Sequence, residues 1–261
     1  MEQELRNRLS QSKRIVVKYG TRVLSNDLGR LNKKRFEDIA KDISSLIASG
    51  KQVVLVTSGA IGAGLEELGI EKRPTELLEL QAAAAIGQAK LIDLYSKCFK
   101  NHGIVVAQIL LTREDFQNKN RISNLCNIVN SLFAKGVLPI INENDAITSD
   151  EIQFGDNDLL SSLVAKELDA NVLVLASTVN GFYADLEKGV RVSHISEVGE
   201  QEFSQAKGKG GEMSTGGMES KLKSAKVFVK QGGLAIILDG RNENVLQDAF
   251  SKKDIGTLIG C

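Results

Sequence analysis

Short runs of β-branched and aliphatic residues recur along the chain, separated by longer stretches in which apolar positions return every three or four residues. The runs 14–19, 52–57, 104–110, 137–141, 171–176 and 234–238 predict strands. The stretches 33–49, 75–100, 120–135, 158–167 and 218–231 predict helices. Strands that are apolar at nearly every position are covered on both faces, and helices between them supply the crossovers of a parallel sheet. The pattern therefore predicts an α/β fold. No segment is low-complexity, none repeats with a period of about 20–50 residues, and no linker parts two independent domains. Residues 1–261 read as one domain with two lobes on one sheet, dividing near residue 170.

The polar positions interrupt this pattern most sharply after the fourth strand. There the chain runs Ile141-Asn142-Glu143-Asn144-Asp145-Ala146-Ile147, and Gly155-Asp156-Asn157-Asp158-Leu159 follows soon after. Carboxamides and carboxylates this dense at the end of a core strand are costly to desolvate unless something binds them. Strand ends are where α/β proteins place their ligands, so some of these groups are expected to face a small polar ligand. An Asx-rich surface turn is the plainer alternative.

Glycines mark three further chain segments. The first strand ends in Lys18-Tyr19-Gly20-Thr21, where a lysine beside a glycine turn can set an ammonium over a phosphate. The second ends in Thr57-Ser58-Gly59-Ala60-Ile61-Gly62-Ala63-Gly64, a candidate anion-binding nest before a helix, with the Ser58 hydroxyl as a further donor; tight strand–helix packing is its alternative. Neither GxGxxG nor GxxxxGK[ST] fits, since Glu67 breaks the first and no match to the second occurs. The third is Thr215-Gly216-Gly217-Met218-Glu219-Ser220-Lys221. Thr215 can cap a helix there and Lys221 sits about one turn in, which suits the phosphates of a nucleotide. Five of the twelve residues 206–217 are glycine, making that segment the candidate mobile loop.

Composition narrows the function classes. Lys plus Arg and Asp plus Glu balance at 33 each, which gives no basic field for nucleic acid and no polybasic membrane signal. Trp is absent, and no apolar run approaches the roughly 20 residues of a membrane span. The first fourteen residues are charged and carry no secretory apolar core. Cys98, Cys126 and Cys261 are widely spaced and odd in number, which predicts reduced thiols and a cytoplasmic protein. With only His102 and His194, a zinc site or a histidine-based triad has little support.

In this order the motifs resemble the amino-acid kinase family: Val17–Thr21, the loop from Val56 to Gly64, Leu110-Leu111-Thr112-Arg113, the Asn-Glu-Asn-Asp run, Gly155–Asp158, and Thr215–Met218 with Lys221. The resemblance runs from about Arg14 to Thr257, and the Asn-Glu-Asn-Asp and Gly-Asp-Asn-Asp pair marks the glutamate-phosphorylating branch. It implies a three-layer αβα sandwich around a mostly parallel sheet, with the lobe of residues 1–170 on the amino-acid side and that of 171–261 on the nucleotide side. It also implies ATP- and Mg²⁺-dependent phosphorylation of the γ-carboxylate of L-glutamate, in-line and without a general base. Lys18, Lys221 and Asp158 would be catalytic, the carboxylate holding both ammonium groups. Ser58, Gly59, Ala60, Asp145 and Asn157 would bind glutamate, with Asp145 on its α-ammonium. Lys18, Gly20, Thr21, Ser177, Thr178, Thr215, Gly216, Gly217, Met218, Glu219, Ser220 and Lys221 would bind ATP. Mg²⁺ would be held by phosphate and water oxygens rather than by a protein cage.

The family further implies proline as a feedback inhibitor and a homo-oligomer, dimer or tetramer. The alanine-rich stretch 75–100 serves such a contact or, as the better expectation, the core. The chain departs from the family pattern in three ways. Arg22 replaces a common Ser, Tyr19 a smaller apolar residue, and Ser177-Thr178 a Thr-Asp pair near the base and ribose. The chain ends soon after Thr257, so a kinase domain without a C-terminal PUA domain is expected. Another acceptor within the family (N-acetylglutamate, aspartate, carbamate or UMP) and a non-catalytic ATP or amino-acid sensor are the alternatives.

Overall fold

The computed structural model describes residues 2–26, 29–148, 157–185, 187–207 and 215–261. The Gly155-Asp156 pair and most of the candidate mobile loop lie outside the described residues.

In chain order the elements are α1 (Glu2–Gln11), β1 (Arg14–Tyr19), α2 (Thr21–Leu24), α3 (Lys33–Ala48), β2 (Gln52–Val56), α4 (Ala60–Glu67), α5 (Leu77–Lys100) and β3 (Val106–Leu111). A 3₁₀ turn, Arg113–Gln117, leads to α6 (Lys119–Ala134), β4 (Leu138–Glu143), α7 (Asn157–Glu167), β5 (Val172–Ser177), β6 (Phe182–Asp185), β7 (Val190–Val192) and β8 (His194–Ile195). The chain closes with α8 (Glu200–Lys207), α9 (Thr215–Val229), β9 (Leu234–Asp239), α10 (Val245–Phe250) and β10 (Thr257–Ile259).

The main sheet has eight strands in the order β3-β4-β2-β1-β5-β9-β10-β8. Neighbours from β3 to β9 run parallel, and β10 lies antiparallel to β9. Because side chains alternate along a strand, each central strand feeds two cores. Ile15, Val17, Leu55, Val174 and Ile236 pack with residues of α1, α3, α5 and α10. Val16, Val54, Val56, Leu173 and Leu175 pack with residues of α6, α7 and α9. The result is the three-layer αβα sandwich.

The predicted strands and helices all form, with ends shifted by at most three residues. The pattern missed α1, whose few apolar residues, Leu5 and Leu9, are buried among charged neighbours. It also missed α2, α8, α10 and the short strands β6, β7, β8 and β10, which are too brief to show a period. Helix α5 is a core helix along one stripe, burying Leu80, Ala83, Ala84, Gly87, Leu91, Tyr95 and Phe99, while Ala82, Ala85 and Ala89 are exposed. Two glycines let α4 and α5 cross at backbone contact. A Cβ on Gly64 would stand 1.8 Å from Ala83 O, and one on Gly87 1.8 Å from Ala60 O. For Gly64, close packing is therefore the reason for glycine, not anion binding.

Candidate active site

Strands β1, β2, β4 and β5 run parallel and end at one edge of the sheet, and the polar residues of the sequence motifs collect there. Lys18 is the last but one residue of β1 and is buried. Asp158, fully buried in the first turn of α7, lies between two ammonium groups. Its Oδ1 is 2.6 Å from Lys18 Nζ and its Oδ2 3.0 Å from Lys221 Nζ, on α9. The start of α7 adds the partial positive charge of a helix N-terminus, which favours a carboxylate there. Lys221 also donates to Gly217 O at 3.1 Å, so two of its three N–H groups are engaged by described residues. Gly20 has φ −80, so the turn itself does not require glycine. Its missing side chain matters instead because a Cβ would sit 3.3 Å from Lys18 Nζ.

Lys18 and Lys221 line a cleft of about 940 Å³, the size of a nucleotide or cofactor site. Its lining includes Gly20, Thr21 and Arg22, then Ser177, Thr178, Phe182 and Tyr183, and Gly217, Met218, Glu219 and Ser220 from the start of α9. Asp158 sits behind this surface and fixes the two lysines from below. Thr215 and Gly216 open α9 as expected. The surroundings of the Thr215 side chain, and with them its capping role, lie outside the described residues. Arg241 donates to Thr178 O at 2.7 Å and pairs with Asp239, bracing the Ser177-Thr178 corner.

The expected acceptor residues are placed differently. Ser58 lines the cleft. Asn157 is buried one hydrogen bond behind it, donating from Nδ2 to Ser58 Oγ at 3.1 Å, to Thr57 O and to Asn142 Oδ1 at 2.7 Å. Gly59 caps α4 in the left-handed region, φ 104, which favours glycine, and Ala60 begins that helix. Asp145 lies half-buried in the turn after β4, where burial pushes its carboxyl up to about 6 against the opposing charge of Arg73. Gly59, Ala60 and Asp145 do not line the cleft itself. The Asx-rich segment is in part a turn, as the alternative had it: Ile147 N and Thr148 Oγ1 both donate to Asn144 O.

Sequence reasoning missed several residues. Glu143, Arg113 and Phe116 line the cleft, and Asn142, almost wholly buried, holds Asn157. A carboxamide at position 142 inside an apolar strand was a usable signal. Gln88, which accepts from Asn142 at 2.8 Å, left none.

Chemically, two buried ammonium groups held on one carboxylate at a cleft wall suit an anionic group in transfer. Among the described residues no group of three His, Cys, Asp or Glu side chains could hold a metal ion, and no helix is long and apolar enough to cross a membrane.

Comparison with known proteins agrees with this geometry. Over 263 residues the chain is 42% identical to the glutamate 5-kinase of Clostridium perfringens, with 98% of each chain covered. It is 38% identical over 263 residues to that of Enterococcus faecalis, covering 98% of this chain and 97% of the relative. Carbamate kinase from Giardia lamblia bound to AMP-PNP shares the fold, with a TM-score of 0.66 at 18% identity over 96% of this chain and 99% of that one. The model of the amino acid kinase family matches residues 13–238, nearly the whole of the sheet and its helices, and the chain belongs to that family.

Proposed function

We propose that this chain transfers the γ-phosphoryl group of ATP to the γ-carboxylate of L-glutamate, giving γ-glutamyl phosphate and ADP, the first step of proline biosynthesis. The observation that carries this reading is the Lys18–Asp158–Lys221 knot at the cleft wall, in a chain so similar to glutamate 5-kinases. A carboxylate acceptor is ionised at neutral pH and is already a nucleophile, so the site needs no base. It needs charge neutralisation and alignment, because the transferred group is anionic and its transition state loose. Lys18 and Lys221 would neutralise that charge. Asp158 keeps the two ammonium groups apart and aimed, so little reorganisation accompanies the transfer. Gly20, Thr21 and the start of α9, from Thr215 to Lys221, would hold the phosphates, with Ser177 and Thr178 near the base.

Mg²⁺ fits this site as a companion of the nucleotide. Ammonium groups cannot ligate it, and both Asp158 oxygens face lysines, so phosphate and water oxygens would be its ligands. When bound, it would further neutralise the phosphates. Ser58, Gly59, Ala60, Asn157 and Asp145 would bind glutamate, and Asp145 answers the α-ammonium. That group is what sets a free amino acid apart from N-acetylglutamate or carbamate. A cytoplasmic homo-oligomer inhibited by proline completes the proposal. The exposed stripe of α5, with Leu78 and Ile86, is the surface that supports association.

The test is ADP release from Mg-ATP with L-glutamate, trapping the acyl phosphate with hydroxylamine, beside aspartate, N-acetylglutamate, carbamate and UMP. Glutamate-dependent hydroxamate that disappears in Lys221→Ala is the expected result. Turnover with a different acceptor would overturn the glutamate assignment, and ATP binding without turnover would make the protein a sensor.

A further inference from the structure

One backbone carbonyl sets the direction of a chain of four side-chain amides that runs from the candidate acceptor site to the edge of the sheet. Thr57 O can only accept, so the Asn157 atom beside it is the nitrogen Nδ2. The same nitrogen lies 2.7 Å from Asn142, which must therefore present Oδ1. That turns Asn142 Nδ2 toward Gln88, 2.8 Å away, so Gln88 presents Oε1. Gln88 Nε2 in turn reaches Gln108 Oε1 at 3.1 Å, on the edge strand β3. No amide in this series can flip alone without setting two donors or two acceptors face to face.

The consequence falls on Asn157. Its nitrogen is spent on Thr57 O, Ser58 Oγ and Asn142, and its Oδ1 takes no hydrogen bond among the described residues. In a series where each amide donates to the next, donation draws electron density toward the carbonyl end and strengthens it as an acceptor. An acceptor oxygen on the residue that holds Ser58 suits a cationic donor, such as the ammonium of a free amino acid, and repels a carboxylate.

We propose that Gln88 is a positioning residue for acceptor recognition. From α5, outside the cleft, it holds Asn142, and through it Asn157, in the orientation that offers an oxygen to the substrate ammonium. The proposal rests on the reading of Asn157 as a glutamate-binding residue. Without an acceptor at position 88 the almost wholly buried Asn142 faces two poor choices. It can leave Nδ2 without a partner, or it can flip and press that nitrogen against Asn157 Nδ2.

Two substitutions separate orientation from packing. Gln88→Leu removes the acceptor at similar size; Gln88→Glu keeps an acceptor for Asn142, and the exposed Gln108 can turn its amide to donate to the second carboxylate oxygen. Initial rates are measured with glutamate and ATP varied independently, beside thermal melting of each protein. Gln88→Leu is expected to raise KM for glutamate by about tenfold, the worth of one well-placed hydrogen bond to a charged group. Its kcat and its KM for ATP should stay within about twofold on the same grounds, and Gln88→Glu should restore most of the loss. An unchanged glutamate KM in Gln88→Leu overturns the proposal. So does an equal loss in both variants, or a fall in kcat and both KM terms that follows melting temperature. Failure of the unsubstituted protein to phosphorylate glutamate overturns the functional reading instead, and the two failures are told apart by which protein shows them.

Discussion

Lys18, Asp158 and Lys221 are three full charges buried in direct contact, whereas Ser58, Asn142 and Asn157 are a hydroxyl and two neutral amides buried in contact. The two groups sit at the same edge of one sheet, so the difference lies in what each must recognise. Burying charge costs several kcal/mol per ion, of order, unless a partner answers it. The lysines have such a partner in Asp158, and a polyphosphate would add to it. Point charges of this kind attract any anion and say little about its shape. Amides carry no net charge but have a donor end and an acceptor end, so a fixed amide distinguishes one orientation of a ligand from another. Under the proposed function, the charged group would serve the phosphoryl end by strength and the amide group the acceptor end by discrimination.

The largest effect expected from breaking this contrast is at the charged end. Lys221→Ala should lower kcat by about 10²–10³, the scale of one lost transition-state contact, with a smaller change in KM for glutamate. Hydroxamate rates at saturating substrates check it, and a loss confined to glutamate KM would dissolve the distinction between the two ends. Next is the scaffold of the amide end. Gly87→Ala puts a methyl group into the backbone of α4, and a destabilisation of about 3 kcal/mol or more is expected from such overpacking. Chemical denaturation measures it, and a change under 1 kcal/mol would show, on the same scale, that the helices can slide apart.

Asp145→Asn is expected to raise KM for glutamate by about tenfold or more through loss of its charge on the ammonium. It should also stabilise the protein by about 1 kcal/mol, because burial raises the Asp145 carboxyl and the folded state resists its charge. The sign of the pH effect follows. A carboxyl raised from 3.8 to about 6 binds its proton more tightly in the folded protein, so its destabilising effect is full above pH 6 and fades as pH falls toward 3.8. Glutamate binding moves the other way. KM for glutamate should rise as pH drops through about 6, and Asp145→Asn should flatten that rise. A pH profile identical in the two proteins would remove Asp145 from the acceptor site. The smallest effect is at the exposed cleft residue Arg22, where Arg22→Ser should raise KM for ATP by only about two- to fivefold and weaken its dependence on salt.

The two lysines of the charged end were legible in local motifs, a lysine before a glycine at a strand end and a lysine one turn into a helix, while Asp158 was expected between them only from the family resemblance. The amide end was legible only in part. Asn157 and Ser58 stood in motifs, but Asn142 read as one more residue of an Asx-rich run and Gln88 as a polar position on a helix flank. Gly64 looked like part of an anion loop and proves to be a contact with Ala83. Local sequence could not tell these uses of glycine apart, because both leave the same gap where a side chain would be.

By itself the sequence determined the parallel core strands, the helices between them and the chemical character of the strand ends. Each depends on periodicity or on neighbours a few residues apart. Only the tertiary structure decided that Lys18 and Lys221, from distant parts of the chain, close on the two oxygens of one carboxylate. It alone decided that α4 and α5 touch at backbone distance, and that four amides line up from Thr57 to the sheet edge. The approach of Lys18 to Asp158 depends on the order of strands in the sheet, with β1 between β2 and β5, and strand order arises from packing between segments remote in sequence.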